Sequence, residues 1–100
     1  MPVFPAAERI ARFCRERQIR RLSLFGSAVR GDFVPGRSDL DMLVEYRAGC
    51  HPGIGHFTNA DDLSELFGVR VDLSTGAMLG RFLPTVRREE SVIYDEARSC

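Results

Sequence analysis

The sequence has 100 residues, 44% of them hydrophobic, which is enough for the core of one small domain spanning residues 1–100. Its 14 basic residues are balanced by 14 acidic ones, so no excess of positive charge is present to hold duplex nucleic acid. No apolar run approaches the roughly 18 residues of a membrane span, and the N-terminus lacks the pattern of a signal peptide. We therefore expect a soluble, cytoplasmic protein.

The first half of the chain alternates between regular elements and connections. Apolar residues at helical spacing over residues 5–18 predict an amphipathic first helix. Alternating apolar and polar residues then predict a first strand that stops at Gly26. Residues 31–38 are rich in turn formers and are expected to form a loop, after which Leu40 to Tyr46 should form the second strand. The glycines and proline of residues 49–56 indicate an exposed connection.

The second half of the chain predicts a helix, a strand and a further helix. Thr58 or Asn59 can cap a helix that stops at Gly68, and residues 69–73 follow as a third strand. Helical spacing over residues 83–98 predicts a closing helix. The alternation indicates an α/β or α+β fold with a small sheet of three or four strands and helices packed against it. It leaves open whether the strands run parallel or mixed.

Three aspartates carry the strongest chemical signal. Asp39 and Asp41 are two residues apart at the start of the second strand, so their side chains project to the same side. Two neighbouring carboxylates repel each other, and a bound divalent cation removes that cost; oxygen ligands favour Mg²⁺. Asp72 would join them if the second and third strands are neighbours, which gives the ligand set of a two-metal transfer site. A lone DxD pair would more often be a strand cap or a turn.

A second signal lies where the first strand ends. Gly26 followed by Ser27, at a strand-to-helix turn, lets backbone N–H groups and a hydroxyl approach a phosphate closely. The string LFGSAVRGDFVPGRSDLDMLVEY resembles the GS and DxD signature of the polymerase-β-like nucleotidyltransferase superfamily. It looks most like the minimal nucleotidyltransferase (MNT) family, whose members are often the antitoxin partners of HEPN toxins. The later string VRVDLST and the order of elements extend the resemblance over most of the chain.

The resemblance implies a nucleotidyltransferase fold with a mixed sheet and a role for each signal. Gly26 and Ser27 would bind the triphosphate, and the three aspartates would bind Mg²⁺ and carry the catalysis. Arg30, in a GSxxRG pattern, would either touch a phosphate or pair locally. The implied reaction moves a nucleoside monophosphate, with AMP from ATP favoured, to a hydroxyl of a partner protein, with a HEPN toxin as the acceptor.

Two other functions remain as alternatives. The chain could be a catalytically silent module that neutralises a toxin by covering it, or it could modify a small molecule, which usually requires an additional substrate domain. The presence of all three aspartates favours the enzyme. A chain of this size has difficulty enclosing an acceptor pocket alone, so a partner, in a homo- or hetero-oligomer, is expected to complete the site.

The remaining polar and aromatic residues give weaker signals. His51 and His56 lie in the expected connection and are weak candidates for a ligand or acid–base role. Core packing, rather than stacking on a base, is expected for most of Phe25, Phe33, Phe57, Phe67 and Phe82. Free thiols are expected for Cys14, Cys50 and Cys100. A solvated helix face, or a docking surface for an acidic partner, is expected for Arg9, Arg12, Arg15, Arg17, Arg20 and Arg21.

Overall fold

One mixed sheet organises the molecule. The structure, a computed structural model, describes residues 4–98. Within these residues, four strands are arranged in the order β3-β2-β1-β4, and they comprise β1 (Ile19–Phe25), β2 (Leu40–Tyr46), β3 (Val71–Thr75) and β4 (Ser91–Asp95). Strand β1 runs antiparallel to β2 and to β4, whereas β2 and β3 are parallel. The mixed sheet implied by the resemblance is confirmed.

Helices connect the strands and pack against the sheet. They comprise α1 (Ala7–Glu16), α2 (Ser27–Arg30), α3 (Gly55–Phe67), α4 (Gly76–Leu79) and α5 (Leu83–Glu89), with 3-10 turns at Gly80–Phe82 and Glu96–Arg98. Over residues 4–98, no helix has both the length and the apolar character needed to cross a membrane.

The core lies between one face of the sheet and helices α1 and α3. Strand β2 supplies its centre, because every second residue faces inward and is fully buried: Leu40, Met42 and Val44. These side chains belong to one apolar cluster with Ile10 and Cys14 of α1 and with Leu63 and Phe67 of α3. The alternation of β2 is therefore the feature that directs its odd-numbered residues, including Asp41, to the other face.

The predicted closing helix over residues 83–98 is wrong. Helix α5 ends at Glu89, Glu90 is extended, and Ser91–Asp95 forms β4 alongside β1. The stretch around Ile93 has the β-branched and aromatic residues that suit a strand, and pairing with β1 buries Tyr94. Tertiary pairing thus overrides a helical spacing that by chance continues across the turn at Glu90.

Helix α1, helix α3 and strand β3 also have bounds that differ from the prediction, and α1 is shorter at both ends, Ala7–Glu16 rather than 5–18. Helix α3 begins at Gly55 rather than after Thr58 or Asn59, because its first turn is held by backbone bonds such as Gly55 N–H to the carbonyl of Pro52 at 2.9 Å. Asn59 is instead buried inside the helix, while the predicted stop at Gly68 is confirmed by its left-handed φ of 72°. Strand β3 starts two residues later than predicted.

The weaker signals resolve in different ways. Core packing holds for Phe67, but Phe57 and Phe82 are 66% and 60% exposed, because they lie on the solvent side of α3 and of the 3-10 turn before α5. Cys14 and Cys50 are free thiols, and burial raises the pKa of Cys14 to about 12; Cys100 lies outside the described residues.

The N-terminal arginines divide into two groups. Those of α1 that precede Glu16 are exposed, as predicted for a solvated face: Arg9, Arg12 and Arg15. The next three pair with carboxylates of other elements, Arg17 with Asp62, Arg20 with Glu45, and Arg21 with Glu45 and Glu90.

Candidate active site

Asp41 and Asp72 lie side by side on neighbouring strands. They are register partners in the parallel pair of β2 and β3, on the sheet face opposite the core. Asp41 is half-buried and Asp72 is exposed, whereas the residues that flank Asp72, Val71 and Leu73, are buried. The condition set by the sequence, that the second and third strands be neighbours, is met.

Asp39 precedes β2 by one residue and lies at the edge of this pair. Its side chain is 44% exposed and 3.9 Å from the guanidinium of Arg70, an ion pair too solvated to hold it firmly. Among the residues that the structure describes, no three metal-ligating side chains are gathered closely enough to hold an ion as they stand. The structure therefore brings Asp41 and Asp72 together, with Asp39 as a near neighbour. These three aspartates are called the carboxylate end of the β2–β3 pair below.

The electrostatics of Asp41 are those of a crowded anionic site. Its pKa is raised, first by burial and then by the negative charges of Asp72, Asp39 and Glu89, and the positive charge of Arg30 opposes the shift. A site in which neighbouring carboxylates repel the charge of Asp41 is stabilised by an added cation. The donor set consists of oxygen atoms only, so it fits a hard divalent ion such as Mg²⁺.

Gly26 forms the turn that leads from β1 into α2, directly beside Asp41. It is buried and has a φ of 75°, and a Cβ at this position would collide with the Asp41 carboxylate. Phe25, the residue before it, is the register partner of Asp41 in β1. Gly26 is therefore needed for two reasons, the left-handed backbone and the close approach of a carboxylate; the sequence indicated only a close approach by a phosphate.

Arg30 and Glu89 complete the surroundings of this turn. The Glu89 Oε1 atom accepts a hydrogen bond from the Gly26 N–H at 3.1 Å and lies 3.5 Å from Arg30 Nη1. Arg30 also lies 3.9 Å from Asp32, so it pairs locally, which was one of its two predicted roles. The sequence does not point to Glu89, because helical spacing predicts one helix over residues 83–98 and no local pattern predicts that α5 ends at Glu89, beside the Gly26 turn.

A cavity lies at the other end of the β2–β3 pair. It has a volume of about 630 Å³ and is lined by residues that include Tyr46, His56, Phe57, Thr75 and Met78, which we call the groove end. Its strand residues are displaced three to five positions along the strands from Asp41 and Asp72, or at least roughly 10 Å. The interacting titratable groups are gathered at the carboxylate end instead, which makes that end the candidate active site.

His56 belongs to the groove end as a structural residue. Its Nε2 lies 3.0 Å from the carbonyl oxygen of Leu73, and its Nδ1 lies 2.9 Å from the hydroxyl of Tyr46. A carbonyl can only accept, so Nε2 carries the proton and Nδ1 accepts from the Tyr46 hydroxyl, which in turn accepts from Asn59 at 3.2 Å. His56 is thus buried in α3 rather than exposed in a connection, whereas His51 is exposed.

Comparison with known proteins identifies the family of the chain. Residues 7–98 match the family model of the nucleotidyltransferase domain. A solved structure described as a candidate minimal nucleotidyltransferase is 32% identical with a TM-score of 0.71, over 85% of this chain and 86% of that chain. No curated protein is similar enough to this chain to count as a match.

Two more distant structures show likeness in fold. A toxin–antitoxin complex with AMP-PNP is 20% identical with a TM-score of 0.72, over 91% of this chain and 74% of that chain. A complex of a tri-AMPylated Shewanella oneidensis HEPN toxin with an MNT antitoxin is 18% identical with a TM-score of 0.64, over 89% of this chain and 69% of that chain.

Proposed function

Since the chain belongs to the nucleotidyltransferase domain family, we propose that it transfers AMP from ATP to a hydroxyl group of a partner protein. One observation carries the proposal: Asp41 and Asp72 are paired in register beside the Gly26 turn, on an open face of the sheet. This arrangement offers carboxylates to a metal and a narrow turn to a phosphate within one site.

Mg²⁺ is the proposed metal, and Asp39, Asp41 and Asp72 would hold it. The pKa of Asp41 is raised by burial and then by the charges of Asp72 and Asp39, and this repulsion supports the choice because a divalent cation would relieve it. When bound, Mg²⁺ supplies neutralisation of the triphosphate and a lower pKa for the attacking hydroxyl.

The other steps fall to residues of the chain itself. Ser27 and the Gly26 turn would orient the triphosphate, and Arg30 would place positive charge beside it. The acceptor oxygen forms a bond to the α-phosphorus while the bond to the bridging oxygen breaks, and pyrophosphate leaves. Asp72 is exposed towards an arriving acceptor and would take the proton of its hydroxyl.

A HEPN-type toxin is the proposed acceptor, in the cytoplasm. Asp39 and Asp72 are exposed at the carboxylate end, so a second protein must supply the other wall of the acceptor site. The structures of similar fold that contain a toxin–antitoxin pair and an AMPylated HEPN toxin support this kind of partner.

Labelled ATP, Mg²⁺ and a candidate HEPN partner test the proposal directly. The intact chain should label the partner at a hydroxyl side chain, and Asp72→Asn should lower the rate by at least about 100-fold, because the proposed base is lost. Asp61→Asn, at an exposed position of α3, is the matched control and should keep full activity. If the partner is bound and silenced without any label, the chain acts as a covering module and the transferase proposal fails.

A further inference from the structure

Glu89 reaches the Gly26 turn from 63 positions along the chain. A single oxygen of its carboxylate, Oε1, accepts the Gly26 N–H at 3.1 Å and lies 3.5 Å from Arg30 Nη1. Both donors are groups that the proposed function assigns to the triphosphate. Carboxylates and phosphates use the same partners, namely N–H groups and guanidinium groups, so Glu89 takes the place that a phosphate oxygen would take.

The charge around Glu89 makes joint occupancy unfavourable. Glu89 already repels the Asp41 carboxylate, as Asp39 and Asp72 do. A triphosphate would bring several more negative charges to the same few ångströms. The Gly26 N–H donates one hydrogen, and it cannot serve both anions fully.

The contact of Glu89 is also weak enough to be exchanged. The side chains of Glu89 and Arg30 are 29% and 55% exposed, so solvent screens their attraction. The neighbouring Glu90 is held differently, with a side chain only 7% exposed and its Oε1 atom 2.7 Å from Arg21. Glu89 can therefore turn away at the end of α5 while Glu90 keeps the start of β4 in place.

We propose that Glu89 is an internal competitor of the nucleotide: it holds Gly26 and Arg30 in the empty site, and the triphosphate displaces it. The nucleotide therefore binds more weakly than the bare site would allow, and its arrival frees the end of α5. This inference rests on the proposed function, since it takes the Gly26 turn as the triphosphate site.

The first test compares Glu89→Gln with Glu65→Gln, a matched change at an exposed position of α3. Isothermal titration calorimetry would measure Kd for Mg·ATP and for metal-free tripolyphosphate. Glu89→Gln keeps the size of the side chain but removes its charge, so both ligands should bind roughly three- to tenfold more tightly, with no change in the control. Unchanged or weaker binding by Glu89→Gln would overturn the proposal.

The second test uses the unaltered chain, so it does not depend on the folding of a variant. Tripolyphosphate is titrated while NMR follows the Gly26 amide and the Glu89 side-chain carboxyl. Both signals should move with one midpoint, and the Glu89 signal should approach that of an exposed glutamate. A bound triphosphate that leaves the Glu89 signal in place would overturn the proposal.

The two tests also separate this inference from the proposed function. If Glu89 is displaced but no label is transferred to any partner, the competitor proposal holds and the transferase proposal fails. If label is transferred but Glu89→Gln binds the ligands with unchanged affinity, the transferase proposal holds and the competitor proposal fails.

Discussion

The two ends of the parallel β2–β3 pair treat their polar groups in opposite ways. At the groove end the chain satisfies itself, since His56, Tyr46 and Asn59 form a connected set of hydrogen bonds that ends on the carbonyl of Leu73. At the carboxylate end negative charges gather around Asp41, and the pKa of this residue is raised. The same two strands therefore build one end whose polar groups are hydrogen-bonded to each other and another where the negative charges outnumber the positive charges of Arg30 and Arg70.

This difference favours the carboxylate end as the one connected with function. A satisfied polar network stabilises one arrangement of the core, and nothing further needs to bind there for its hydrogen bonds to be made. Like charges held together carry an electrostatic cost, and such a cost persists at sites where a ligand relieves it. The cavity of about 630 Å³ lies at the satisfied end, so cavity volume and electrostatics favour different ends of the strand pair.

The largest effect on nucleotide binding is expected at the carboxylate end, from the double variant Asp39→Asn, Asp41→Asn. Its affinity for Mg·ATP should fall by roughly 100-fold or more, because two proposed metal ligands lose their charge. Isothermal titration calorimetry measures the loss, with Asp61→Asn as the control. Equal binding by the double variant and the unaltered chain would remove the metal site from this end.

The same double variant should be more stable than the unaltered chain when no metal is present. The pKa of Asp41 is raised from its usual 3.8, so the folded chain holds this proton more tightly than the unfolded chain does. Its contribution to stability therefore falls as pH rises from 3.8 through the raised value and stays lower above it. At pH 7 in chelator, thermal denaturation should give a higher Tm for the variant; a lower Tm would show that these carboxylates stabilise the fold.

A smaller loss of affinity is expected from Gly26→Ala, compared with Gly31→Ala. Both glycines have positive φ, at 75° and 88°, so both variants carry backbone strain. The strain is roughly 1 kcal/mol at Gly31, which is left-handed helical, and roughly 1–3 kcal/mol at Gly26, whose ψ of −145° is adopted almost only by glycine. Only at Gly26 does the added Cβ meet the Asp41 carboxylate, whereas at Gly31 it meets open space among the described residues. Nucleotide affinity should fall about tenfold for Gly26→Ala, because Asp41 is displaced, and should hold for Gly31→Ala. Calorimetry with a parallel melting curve separates the two effects, and equal losses in both variants would show that strain alone is responsible.

The smallest effect on affinity is expected at the groove end. His56→Ala removes two hydrogen bonds from a buried network and should lower the free energy of unfolding by about 1–3 kcal/mol. Nucleotide affinity should nevertheless stay within about twofold, because His56 lies in α3 on the core side of the sheet and contacts the backbone of Leu73 rather than a carboxylate. Urea denaturation and calorimetry provide the two readouts, and the exposed His51→Ala should change neither. A large loss of affinity in folded His56→Ala would mean that the two ends are coupled.

Strand phase made the carboxylate end predictable from the sequence. The inward residues of β2, Leu40 and Met42, fix the direction of Asp41, and alternation depends only on backbone geometry. The sequence alone could not predict that β2 and β3 are adjacent, because the pairing of strands depends on long-range packing. The position of Glu89 depends on the same kind of contact and so left no trace in local spacing.

The fold was predictable to a similar degree, and its errors have a common cause. The bounds of β2 were predicted correctly, since turn formers flank a run of residues that suit a strand. The fourth strand was missed because Ile93 and Ala97 keep helical spacing with Val86, and only pairing with β1 reveals that the helix has ended. His56 was placed in a loop because three nearby glycines resemble a connection, although Gly55 begins a helix.

The edge position of β3 gives Asp72 a second consequence, for solubility. Strand β3 pairs with β2 on one side only; on its other side Ser64 and His56 bond the Val71 N–H and the Leu73 carbonyl, but within the described residues no strand covers this edge. Asp72 is an exposed charge in the middle of the segment Val71–Thr75, and charges on edge strands oppose intermolecular pairing. Catalysis and resistance to aggregation would then select the same side chain. Variants that neutralise Asp72 should associate more readily at high concentration, which light scattering would detect, so their activity is best measured in dilute solution.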